Sequence, residues 1–323
     1  MAHHYIERKE KEPWNSRNTI ALFWIRRFFR IAPLFYLLLI VAFILGPWLG
    51  ECRSAIAAIW PATATPLERY NDNGIANFLA HISFIFGASP RWSFRSPLPD
   101  WSIGLEMQFY LAFPLIMLAM GTLGPIKTSI GLIIICLAFR LGMPDVYHSF
   151  QMPSLLLIKL QVFLMGIWIA YSRWQGSMKL GFIVSLGIAL IWAVIEKNPM
   201  SFARIGLVVL MFYLMDNSTM PGSQMLNTNI QKLREILSNK VSVFLGDTSY
   251  ASYLLHLLIV IPVAAWLTSF DFYLALPGSL RFLACLIISM PLVYLGSTLL
   301  FKYVEKNGIA LGKNSISKMK IIT

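Results

Sequence analysis

The chain has 323 residues, 57% of them hydrophobic and only 13% charged, with a net charge of +12. A soluble domain carries about 25% charged residues, so the composition excludes an ordinary soluble enzyme and implies a polytopic membrane protein. The basic excess would raise nucleic acid as a partner in a soluble chain. Here the lysines and arginines gather at the ends of apolar runs, the positive-inside pattern, and no nucleic-acid partner is expected.

The first 30 residues read as a basic cytoplasmic tail without the short apolar core of a cleavable signal. Apolar runs follow at 31–49, 75–88, 102–120, 125–139, 154–173, 179–195, 201–216, 250–268 and 279–303. A spanning helix needs about 20 residues, and 75–88 is the shortest run. If all nine crossed, the basic residues would divide evenly between the two sides. If 75–88 re-enters without crossing, 18 fall inside and 8 outside. The expected fold is therefore all-α, a transmembrane helix bundle over 31–303 with about eight spanning helices plus one short re-entrant segment. Residues 304–323 form a second basic cytoplasmic tail, so both termini are inside.

Arg26, Arg27 and Arg30 precede the first run. Arg27 and Arg30 share a helical face, and two guanidiniums at that spacing can grip a phosphate or pyrophosphate. An anchor for lipid headgroups is the alternative. Charge counting places these arginines at the inner face.

Trp101–Pro114 contains Ser102, Glu106 and Tyr110 on one helical face, with Asp100 placed to cap the helix. A carboxylate inside a membrane segment is costly and marks a functional site by default. Its alternative is a structural pair with Arg91 or Arg95. The same topology starts this helix at the outer face, about 30 Å from the arginines.

Lys159 lies within its span and is expected to snorkel outward. Leu226, Ile230, Leu233 and Leu237 recur at helical spacing within 217–240, which reads as an amphipathic surface helix. Ser249, Ser252, Tyr253 and His256 form a polar stripe that must face protein or water. His256 could be a base, a ligand or a hydrogen-bonded clamp. Cys52, Cys136 and Cys285 have no metal-ligand spacing. The chain has no His-x-x-x-His pair, phosphate loop or Gly-x-Ser-x-Gly elbow, and no metal is expected.

These stretches, in this order, resemble the bacterial acyltransferase 3 family of integral membrane acyltransferases. Arg27-Phe-Phe-Arg30 leading into Ile31-Ala32-Pro33-Leu34 is similar to its Arg-x-x-Arg and Pro-containing span. Trp101-Ser102 with Glu106, Phe109, Tyr110 and Pro114 is similar to its Trp-Ser-Leu…Glu-x-x-Phe-Tyr-Leu…Pro. Leu245-Gly246…Ser249-Tyr250…Tyr253-Leu254…His256 and Tyr303-Val304-Glu305-Lys306 complete the match, with Asn307 where proline is common.

The resemblance implies transfer of an acyl group, often acetyl, from cytoplasmic acyl-CoA to a hydroxyl of a cell-surface polysaccharide or lipid-linked sugar. It implies a multi-pass protein of the bacterial inner membrane. Arg26, Arg27 and Arg30 would serve the acyl-CoA side, and Glu106, His256, Tyr110 and Ser102 the catalytic core. The family's candidate base is a histidine in an upstream hairpin, and this chain has no histidine between His4 and His81. A truncated chain, weakly active or inactive alone, is the expectation. A proton-coupled transporter or flippase of a polar solute, and a non-catalytic remnant, are the competing readings.

Overall fold

A computed structural model describes residues 12–174, 178–197, 199–215 and 224–322. The first eleven residues of the basic tail, and residues 216–223 at the start of the expected amphipathic segment, lie outside the described residues. The described residues form helices and turns with no strand. The principal helices are α1 (Arg17–Ile59), α2 (Ile75–Ile82), α3 (Trp101–Thr122), α4 (Pro125–Gly142), α5 (Leu156–Trp174), α6 (Met178–Glu196), α7 (Pro199–Met215), α8 (Gln224–Ser238), α9 (Lys240–Leu267), α10 (Gly278–Leu300) and α11 (Lys306–Ile322). A π-helical turn, Phe301–Glu305, joins α10 to α11 without a break.

Seven helical segments are long and apolar enough to cross a membrane, the last being the continuous Gly278–Lys318. The eighth expected span is α7, shorter at 17 residues but still within the crossing range. The run 75–88 is no span. It breaks into the eight-residue α2 and the 3-10 turn Ile85–Ala88, with Phe84 between them at φ 60°. Eight helical residues rise only about 12 Å. Prolines 33, 47, 114, 262 and 291 sit inside helices, which apolar surroundings tolerate when neighbouring groups satisfy the freed carbonyls.

Two compact units are defined by their internal contacts. One contains the chain through Ala21 with Leu111–Tyr147 and Leu156–Val243. In it α5 packs against α4, α6 and α7, and α6 against α7. Trp168 Nε1 donates to Ser129 Oγ at 2.9 Å and Ser185 Oγ to the Met165 carbonyl at 3.0 Å, so these two buried donors find partners on the neighbouring helix. The α8 helix is the expected surface helix, with Ile230 and Leu233 partly covered and Leu237 exposed. Its Arg234 donates to the Tyr213 and Leu214 carbonyls at 2.8 and 3.2 Å, closing the C-terminal end of α7. Lys159 lies within electrostatic reach of Glu196 and Arg204, whose own ion pair is 2.9 Å.

The other unit contains Leu22–Tyr110, His148–Leu155 and Phe244–Thr323. Its core gathers Leu34, Phe35, Leu38 and Leu39 of α1 with Phe84, Phe86, Ile103, Ala251 and Leu254. Close backbone approaches set its geometry. A Cβ on Gly104 of α3 would lie 2.7 Å from the Gly87 Cα, and the reverse holds for Gly87. Gly308 and Gly312, four apart on α11, press on α1 so that added Cβ atoms would meet Phe29 O and Phe29 Cβ, each at 2.8 Å. Small residues at this spacing let helices meet backbone to backbone.

Candidate functional site

The second unit carries the polar cluster. Tyr110 stands one turn beyond Glu106 on α3, and its hydroxyl reaches Glu106 Oε2 at a long 3.5 Å. The Arg27 guanidinium lies 5.3 Å from the Tyr110 ring centroid and 5.7 Å from that of Phe23, both cation–π distances. Trp24 Nε1 donates to the Tyr110 carbonyl at 3.0 Å, fixing α1 against α3 at this level. Arg30 and Arg27 both act electrostatically on Glu106.

This overturns the expected separation of about 30 Å between the arginines and Glu106. Charge counting treated the arginines as lying before the first span. In the structure α1 is already helical at Arg17, so Arg27 lies ten residues inside it and flanks the middle of α3. Glu106 is also not paired with Arg91 or Arg95. Arg95 Nη1 contacts Asp72 Oδ2 at 3.0 Å, and Arg91 lies over the Trp92 ring.

Two residues join the cluster that sequence reasoning did not select. Glu305 is only 4% exposed and lies in the field of Arg30. Its flanking residues Tyr303 and Lys306 are exposed. Glu305 lies on the inward side of this continuous helix with Val304, which packs on the core, and with Gly308 and Gly312, which press on α1. Tyr250 of α9 donates to the Ile31 carbonyl at 2.8 Å, next to Arg30, and senses Glu305, Glu106 and Tyr110. Both lie in the family-like stretches 245–256 and 303–306, and that membership, not spacing, was the available signal. Two guanidiniums thus meet two carboxylates and two phenols, a balance that eases the cost of charge in an apolar region.

Ser102, one turn before Glu106, donates to Tyr253 Oη at 3.0 Å, linking α3 to α9. His256 is tied to its own helix, with Nδ1 2.6 Å from the Tyr253 carbonyl. A carbonyl only accepts, so Nδ1 carries the proton. Tyr253, not His256, makes the described bridge to α3. Arg26 is half-buried.

A separate buried pair stands at the start of α3. His81 of α2 is fully buried, its Nδ1 2.9 Å from the Asn77 carbonyl and its Nε2 3.4 Å from Asp100 Oδ2. Its ring stacks on Phe86 at 4.3 Å. Asp100 occupies the expected position before α3, where its carbonyl accepts from Ile103 and Gly104. Its carboxyl faces His81 and Ser96. Burial holds this carboxyl above the ordinary carboxylate range, partly offset by His81, Ser96 and Arg69.

A carboxylate, phenols and paired guanidiniums on packed helices can bind a phosphate-bearing donor, hold a proton and stabilise negative charge on an acyl carbon's oxygen. The family comparison agrees with that chemistry. A family model described as an acyltransferase domain matches residues 5–298. The chain belongs to this family, Acyl_transf_3. Among characterised proteins, Acyltransferase MdmB of Streptomyces mycarofaciens is 24% identical over 272 residues, 76% of this chain. The chain spans 64% of that relative's length. No solved structure matches it significantly.

Proposed function

We propose that the protein transfers an acyl group, acetyl in the simplest case, from acyl-CoA to a hydroxyl of a surface polysaccharide or lipid-linked sugar. The reading places it in the bacterial inner membrane with both termini cytoplasmic. The observation that carries it is the convergence of Arg27 and Arg30 with Glu106 and Tyr110 on two packed helices.

In this reading Arg27 and Arg30 engage the donor's phosphates, with Arg26 contributing at the rim. Glu106, with Tyr110 positioning it, takes the proton of the acceptor hydroxyl as its oxygen bonds to the acyl carbon; the thioester C–S bond breaks, and the CoA thiolate leaves with the proton that Glu106 returns. Ser102 and Tyr253 hold α3 against α9, and His256 acts as a positioning residue through the Tyr253 backbone. The acyl carbonyl develops negative charge during attack, and a fixed donor in an apolar site, such as the Tyr110 hydroxyl, stabilises it without reorganising.

The test uses the purified full chain in detergent. Acetyl-CoA should raise its unfolding temperature, and the Arg27→Ala/Arg30→Ala double variant should abolish that rise. Glu106→Gln, nearly the same shape, should keep the rise but lose transfer of labelled acetyl groups into membrane glycan by 100-fold or more, on the order expected for a lost general base. Unchanged melting of the wild-type chain with saturating acetyl-CoA, or full transfer by Glu106→Gln, refutes the assignment.

A further inference from the structure

A second polar site lies away from the Glu106 cluster, in the segments between α1 and α3. A pocket of about 150 Å³ is lined by Arg69, Arg91, Arg95, Glu68, Phe94 and Gln151, together with two prolines. At about 30 Å³ per water it has room for a phosphate or the acidic edge of one sugar, not for an extended molecule.

Three guanidiniums meet a single carboxylate in this lining. Two of them are held in place. Arg69 donates from Nε to the Ser96 carbonyl at 3.0 Å and from Nη2 to the Leu98 carbonyl at 3.4 Å, with its guanidinium 4.2 Å from the Phe94 ring centroid. Arg95 donates from Nε to the Arg91 carbonyl and from Nη1 to Asp72, each at 3.0 Å. A guanidinium has five N–H donors, so these tethers orient each group and leave donors over. Arg91 is exposed at the pocket's edge. Arg53 opposes Arg69 electrostatically as well. Gathering like charges around a cavity is unfavourable by itself, and an anion in the cavity adds an attraction to each guanidinium that offsets their mutual repulsion.

The location connects this pocket with α3. The carbonyls that hold Arg69 belong to Ser96 and Leu98, immediately before Asp100 and the first turn of α3. Glu106 lies about 8 Å along that helix from Trp101. We propose that the Arg69–Arg91–Arg95 pocket binds an oxyanion, phosphate or carboxylate, carried by the acyl acceptor. That the oxyanion's carrier is the acyl acceptor rests on the acyl-transfer reading; oxyanion binding does not.

The test titrates the full chain, in detergent and without acyl-CoA, with inorganic phosphate, pyrophosphate and glucuronate by calorimetry. Saturable binding of at least one is expected. Arg91→Ala should weaken it about tenfold or more, the range for a hydrogen bond to a charged group, without moving the unfolding temperature. Absence of binding by all three anions, or unchanged binding by Arg91→Ala, overturns the proposal. Nanodiscs of phosphatidylcholine with and without phosphatidylglycerol separate the sources. If phosphatidylglycerol abolishes binding of all three anions, the site is a headgroup site and the acceptor assignment fails. If binding persists, the soluble oxyanion stands. Failure of acyl-CoA to stabilise the chain would sink the acyl-transfer reading and leave this titration unchanged.

Discussion

Gly104→Ala tests whether the approach of α3 to the Ile85–Ala88 turn positions the face proposed to be catalytic. The added Cβ would lie 2.7 Å from Gly87 Cα, 3.1 Å from Gly87 N and 3.1 Å from Phe86 Cε2. Carbon atoms rest at about 3.5–4.0 Å, so the backbones must part by nearly 1 Å, and neither side can rotate away. Overpacking of this kind costs about 1–3 kcal/mol. Gly121→Ala, on the same helix with nothing within 4 Å of its added Cβ, gains the same helix propensity and meets no neighbour. The difference between the two variants therefore isolates the steric cost. With an unfolding entropy of about 2.1 cal/mol/K per residue, Gly104→Ala should melt about 2–4 °C below Gly121→Ala in detergent. It should also lose acyl transfer, because Ser102 and Glu106 flank the displaced turn, while Gly121→Ala stays near wild type. Equal melting temperatures and equal transfer rates for the two variants would refute the argument that this contact sets the site.

Two further perturbations follow from the first turn of α3. Asp100 has its carboxyl raised by burial above the ordinary 3.8, so its protonated form is the one favoured by folding. That contribution is complete below the unfolded value and is lost as pH rises through the folded value. Asp100→Asn should therefore flatten the decline of unfolding temperature with rising pH, and parallel wild-type and variant profiles from about pH 4 to pH 8 would contradict the linkage. Ser102 and Tyr253, 3.0 Å apart, should show a coupling of about 1 kcal/mol in a Ser102→Ala/Tyr253→Phe cycle read by thermal unfolding; strict additivity would mean that the bond contributes nothing.

The helical class, the number of apolar segments and the common face of Ser102, Glu106 and Tyr110 were legible because they depend on hydropathy and on a period of 3.6 residues. The run 75–88 stood out as the shortest, charge counting favoured its not crossing, and the structure breaks it at Phe84. Spacing also put Arg27 and Arg30 on one face. It carried no information on where along α3 that face docks, and the charge-counting argument misplaced it. Counting lysines and arginines assigns sides of a membrane, whereas depth depends on where a helix begins and which neighbour it meets.

The sequence by itself determined that this is an all-helical membrane chain, and its motifs were enough to point to an acyltransferase family, because composition and local period are properties of neighbouring residues. Only the tertiary structure decided that Arg27 meets Tyr110, that Glu305 is buried beside Arg30, that Asp100 faces His81, and that Arg69, Arg91 and Arg95 surround one pocket. Each of those depends on packing between segments distant in the chain or on a local break in helical period. The physical reason is that the energy of a buried charge is set by what surrounds it in space, and no spacing along the chain records that.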